Sequence, residues 1–104
     1  MLKINDSAEI DPLLGEHMVC ILFLREGSLR SSVMHKIVQE VCKKKGYTYV
    51  YADASISKLF KLVSKLDVEV LPTCVFLNKG IEVYRVIGTE SKYNIDRQLK
   101  NLEV

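Results

Sequence analysis

Two kinds of apolar pattern divide this chain. The first is a short unbroken run, Met18-Val19-Cys20-Ile21-Leu22-Phe23-Leu24. A strand without polar alternation has both faces covered, as at the centre of a sheet between layers of helix. The second is the helical period. Val33, Met34, Ile37, Val38, Val41 and Cys42 recur as pairs four residues apart, which places them on one face of a helix. Gly27 or Ser28 starts that helix, because the first-turn N–H groups need an acceptor. Lys43-Lys44-Lys45 suits the negative pole of its dipole, and Gly46 ends it.

The remaining segments follow from the same two periods. Leu2-Lys3-Ile4 alternates like a short strand, and Asn5-Asp6-Ser7 offers capping groups for a brief helix over 8–14, limited by Pro12 and Gly15. Residues 47–52, rich in Tyr and Val, read as a second buried strand. Asp53-Ala54-Ser55 leads into a third helix, with Leu59, Phe60, Leu62, Val63 and Leu66 inward and Lys58, Lys61 and Lys65 outward. Residues 73–77 form a strand, Asn78-Lys79-Gly80 turns it back into 82–87, and Gly88 closes the hairpin. A final amphipathic helix over 92–102 turns Ile95, Leu99 and Leu102 inward. The order βαβαβαββα predicts an α/β fold, a mixed sheet sandwiched between helices in three layers.

Composition narrows the function. With 104 residues and no repeat, the chain is expected to form a single domain over 1–104. A net charge of +2 is too small for a general nucleic-acid surface. No run approaches the roughly 18 apolar residues of a membrane span, and the first sixteen residues are acidic, unlike a signal peptide. Neither nucleic acid nor membrane is an expected partner, and the expected location is cytoplasmic. Cys20, Cys42 and Cys74 give no Cys-x-x-Cys and no zinc spacing, so they read as reduced, buried thiols. His17 and His35 lack companions at metal spacing, the carboxylates are dispersed and the glycines build no phosphate cradle. No metal and no cofactor is expected, and His35 is expected to face solvent beside Lys36.

Leu71-Pro72-Thr73, then Val75-Phe76-Leu77-Asn78-Lys79-Gly80, Val83 and Gly88, resemble the thioredoxin family's cis-proline, hairpin and closing glycine. The resemblance covers nearly the whole chain and implies the thioredoxin-like α/β/α sandwich. It places the family's Cys-x-x-Cys at Ser28-Leu29-Arg30-Ser31 and the buried acid of redox members at Leu22. A serine hydroxyl is neither partly ionised near neutrality nor able to bond reversibly to sulfur, so disulfide exchange is not expected. Val19-Cys20 and Arg25-Glu26-Gly27-Ser28-Leu29-Arg30-Ser31-Ser32-Val33-Met34-His35-Lys36 are similar to the phosducin-like branch, in particular the thioredoxin-domain-containing protein 9 type. That resemblance implies a co-chaperone of the cytosolic chaperonin in tubulin and actin folding.

Each candidate site carries two readings. Ser28 and Ser31 cap a helix, or Ser28 meets a bound peptide at the helix's positive end. Pro72 shapes a core loop, or Leu71 pairs its backbone with an extended chain. In the latter reading the groove comprises Gly27, Ser28, Leu29, Leu71, Pro72, Thr73, Ile87 and Gly88. Cys74, two residues beyond Pro72, is a buried strand residue or the one remaining route to redox chemistry. Lys58, Lys61 and Lys65 are a solvated helix face, or a patch that docks an acidic partner. The expectation is a non-catalytic protein-binding module. The alternatives are a redox protein using Cys74 and a structural subunit of a larger complex.

Overall fold

The computed structural model describes residues 2–102. Its strands are β1 (Leu2–Lys3), β2 (Val19–Leu24), β3 (Thr48–Asp53), β4 (Thr73–Asn78) and β5 (Ile81–Ile87). Its α-helices are α1 (Leu29–Lys45), α2 (Phe60–Lys65) and α3 (Lys92–Leu102). The sheet runs β1-β3-β2-β4-β5. β3 is parallel to β1 and β2, whereas β4 is antiparallel to both β2 and β5. The sheet is therefore mixed, as the element order requires.

Every residue of β2 is buried, and strand alternation splits them between two cores. Cys20, Leu22 and Leu24 pack with Met34, Val38 and Val41 of α1 and Ile95 and Leu99 of α3. Val19, Ile21 and Phe23 pack with Ile10, Leu59, Leu62, Val75 and Leu77 on the opposite face. Two helices thus cover one face, while α2 and the segment around Ile10 cover the other.

Several elements differ from expectation for identifiable reasons. The first helix is a 3₁₀ helix over Ser7–Leu13, capped by Asp6 and interrupted by Pro12, whose missing N–H removes one ladder donor. Met18 adopts φ 51 and stays outside β2. Val33 lies exposed on α1, and Ser31 turns inward instead. Phe60, expected inward, is 72% exposed. A 3₁₀ turn over Ser57–Leu59 precedes α2, and its tighter period rotates Leu59 and Leu62 to the core and Phe60 to solvent. Leu102 is also half-exposed on the last turn of α3, flanking a depression with His17 and Val83.

Two turns fix the strand ends. Gly46 caps α1 at φ 72, its N–H reaching the Cys42 and Lys43 carbonyls. Lys79 and Gly80 take φ 51 and φ 82, the double left-handed turn that matches the twist of a two-residue hairpin.

Candidate functional site

β2 hands the chain to α1 through Arg25-Glu26-Gly27-Ser28, and both serines hold that passage. Ser28 is the N-cap, its Oγ accepting from the Ser31 N–H at 3.4 Å. The Ser31 Oγ is buried and accepts from the Arg25 N–H at 3.1 Å. The Ser28 hydroxyl thus makes the capping bond that Ser favours at a helix start, whereas the Ser31 hydroxyl ties the helix back to the end of β2 at Arg25. Gly27 takes φ 86 just before them, and Lys3 of β1 pairs with Glu26 from the side. Leu29 opens α1 with its side chain 79% exposed.

The facing wall is the loop between α2 and β4. Arg85 of β5 donates to the carbonyls of Leu66 and Asp67, holding the start of this loop. Thr73 Oγ1 donates to the Val70 carbonyl at 2.6 Å, holding its end. The Leu71–Pro72 peptide bond between these anchors is cis. The Pro72 carbonyl accepts from the Gly88 N–H at 2.8 Å, and Thr73 pairs with Ile87 in the sheet. Among the described residues no hydrogen bond reaches the backbone N–H or C=O of Leu71.

These restraints bring Gly27, Ser28 and Leu71 to one shallow depression, with Arg25, Glu26 and Glu69 on its rim. Ile87 and Gly88 lie beside Pro72 through the pairing just described, and Ile87 is 62% exposed. Two expected groove residues play a different part: the side chains of Pro72 and Thr73 are buried, and Thr73 is spent on the Val70 carbonyl. Val70 itself is half-exposed next to Leu71. The sequence signal for it is the apolar pair Val70-Leu71 directly after Glu69.

His35 corrects a second expectation. It is half-buried rather than solvent-facing, sharing a 2.8 Å hydrogen bond with Tyr49 Oη through Nδ1 and meeting the Tyr51 ring edge-on at 4.7 Å. Burial lowers the His35 pKa and pushes the Tyr49 phenol up. Both groups are therefore neutral partners near pH 7. His35 and Tyr51 line a depression that also reaches Arg25, Gly27 and Ser32.

Cys20, Cys42 and Cys74 are all buried and free. Cys20 Sγ lies 3.0 Å from Cys74 Sγ, and burial together with its neighbouring thiols pushes the Cys20 pKa well up. A sulfur that is neither ionised nor exposed is a poor nucleophile. Among the described residues no cluster of three or more His, Cys, Asp or Glu side chains is placed to hold a metal ion. Nor is any described helix long and apolar enough to cross a membrane. Lys58, Lys61 and Lys65 stand apart from the groove: they line a cavity that touches β4 at Leu77, the end opposite Pro72.

No protein-family model and no curated protein matches the chain. Solved structures do. Thioredoxin O2 from Arabidopsis thaliana in its oxidised state superposes with a TM-score of 0.82 and 18% identity, over 97% of this chain and 92% of that one. Reduced thioredoxin pre-protein from Schistosoma mansoni gives 0.82 and 18%, over 96% and 95%. A mutant thioredoxin from Halobacterium salinarum gives 0.84 and 17%, over 96% and 88%. The chain has the thioredoxin fold.

Proposed function

We propose that this chain is a non-catalytic binding module that holds an extended segment of a protein partner across the Leu71-Pro72 groove. The observation that carries the reading is the unbonded Leu71 backbone in a depression shared with Gly27 and Ser28, with exposed apolar side chains at Leu29, next to Ser28, and at Ile87, paired with Thr73. An extended peptide would add main-chain hydrogen bonds at Leu71 and set alternate side chains against those flanks, the strand-addition mode of recognition. By the family resemblance, Ser28 and Ser31 take the place of the redox members' Cys-x-x-Cys, and the cysteines that remain are buried. Similarity to the phosducin-like branch narrows the partner to the cytosolic chaperonin or its tubulin and actin clients, in the cytoplasm.

One observation favours a second reading, in which the chain is redox-active: the 3.0 Å approach of Cys20 and Cys74. Reduction of insulin disulfides by the purified protein separates the two. The binding reading predicts no turnover above the dithiol background. Turnover that disappears in Cys74→Ser would replace it with thiol chemistry.

A further inference from the structure

We propose that the cavity between the 3₁₀ segment Ser7–Leu13 and α2 binds a small amphipathic anion, its apolar body inside and its acidic head at Lys58, Lys61 and Lys65. The cavity measures about 400 Å³, within the range of roughly 300 to 1,000 Å³ typical of small-molecule sites. Its apolar lining comes from Ile10, Leu14, Leu62, Leu66 and Leu77. Such a surface gains by excluding water, but only from a ligand with matching apolar area.

The walls are joined by side-chain chemistry rather than left as a loose seam. Ser7 Oγ donates to the Lys58 carbonyl and accepts from the Leu62 N–H, both at 3.0 Å. One hydroxyl thereby fastens the 3₁₀ segment to the start of α2. The hairpin turn closes a third side at Gly80, where a Cβ would lie 3.2 Å from the Leu14 carbonyl oxygen. A cavity so fixed needs little rearrangement when a ligand enters, which lowers the cost of binding.

Charge selects the ligand's head. Lys58 of the 3₁₀ turn and Lys61 and Lys65 of α2 all reach the cavity lining. Their side chains are exposed, and none takes part in an ion pair among the described residues. Two carboxylates oppose them. Asp6 is committed, its Oδ1 accepting from the Ala8 N–H at 2.9 Å, whereas Asp11 lies exposed on the lining. With three lysines against two carboxylates the balance favours an anion, and Asp11 is the carboxylate that no described hydrogen bond engages. Inorganic phosphate would engage the lysines and leave the apolar lining wet. A flat acidic protein surface would likewise leave the concavity unfilled.

The test is a titration of isotope-labelled full-length protein with decanoate, followed by the amide resonances of Leu62, Leu66, Leu77 and Gly80. Saturable shifts confined to these residues are expected. The exposed triple variant Lys58→Gln/Lys61→Gln/Lys65→Gln, shown folded by its unchanged remote resonances, should weaken binding about tenfold or more, while Asp11→Asn should tighten it. Decyltrimethylammonium, with the same chain and opposite charge, should not saturate. Absence of saturable shifts, equal binding by the triple variant, or equal binding of the cation would each overturn the proposal. Lysine-dependent capture of an acidic protein without decanoate binding would overturn it in favour of a docking surface.

Discussion

Gly88 donates its backbone N–H to the Pro72 carbonyl at 2.8 Å, tying the end of β5 to the residue just before β4. The bond holds the groove's lower edge in place. Gly88 itself sits at φ 81, where an L side chain is strained.

That geometry gives an ordered pair of outcomes. A Cβ at Gly88 meets nothing within 4 Å, whereas one at Gly80, at nearly the same φ, presses on the Leu14 carbonyl. Gly88→Ala should cost about 1 to 2 kcal/mol from the backbone alone, and Gly80→Ala should cost more. Urea midpoints measure both, and a Gly80→Ala protein as stable as Gly88→Ala would contradict the packing described for the hairpin.

Thr73 anchors the loop that presents Leu71. Thr73→Val keeps the shape of the side chain but removes the part-buried hydrogen bond to the Val70 carbonyl, a loss of about 0.5 to 1.5 kcal/mol. Hydrogen exchange should accelerate from Val68 to Leu71, and partner affinity should fall with it. Unchanged exchange in this loop would show that Arg85 alone holds it.

The thiols should be silent in the native protein. Iodoacetamide at neutral pH is expected to modify Cys20, Cys42 and Cys74 only as fast as the protein unfolds, and all three rapidly in denaturant. Fast native labelling of Cys74 would return it to the list of reactive groups.

His35 gives the fold a pH dependence of known sign. Burial holds its folded pKa below the ordinary 6.5, so the unfolded chain takes up the proton first as pH falls. Stability is fully present above about pH 6.5 and is lost as pH drops from there toward the depressed folded value. His35→Phe keeps a ring against Tyr51 and removes the titration. The wild type should therefore lose more in Tm than this variant between about pH 7.5 and about pH 5.5. Equal losses would place the His35 ring in solvent.

Much of the architecture is legible in the sequence because each strong signal reports one physical constraint. The unbroken run ending at Leu24 needs cover on both faces, and the structure provides it from two cores. Lys79-Gly80 needs two left-handed residues and gets them. What escaped notice depends on phase and on tertiary partners. A 3₁₀ turn ahead of α2 rotates Phe60 outward, and no periodicity count senses such a change of pitch. His35 looks like an ordinary surface residue until β3 brings Tyr49 and Tyr51 against it. The groove from Gly27 to Gly88 follows from family resemblance and not from periodicity, and neither reports that Thr73 is buried and Val70 half-exposed.

The most direct test of the binding account is affinity capture from native cell extract, comparing wild type with Leu29→Asp/Ile87→Lys. Both side chains are exposed, so the variant should stay within about 0.5 kcal/mol of wild-type stability. Chaperonin subunits, tubulin or actin recovered by the wild type and lost by the variant is the predicted result. Recovery that ignores the two substitutions, or recovery of redox enzymes in place of these proteins, would contradict it.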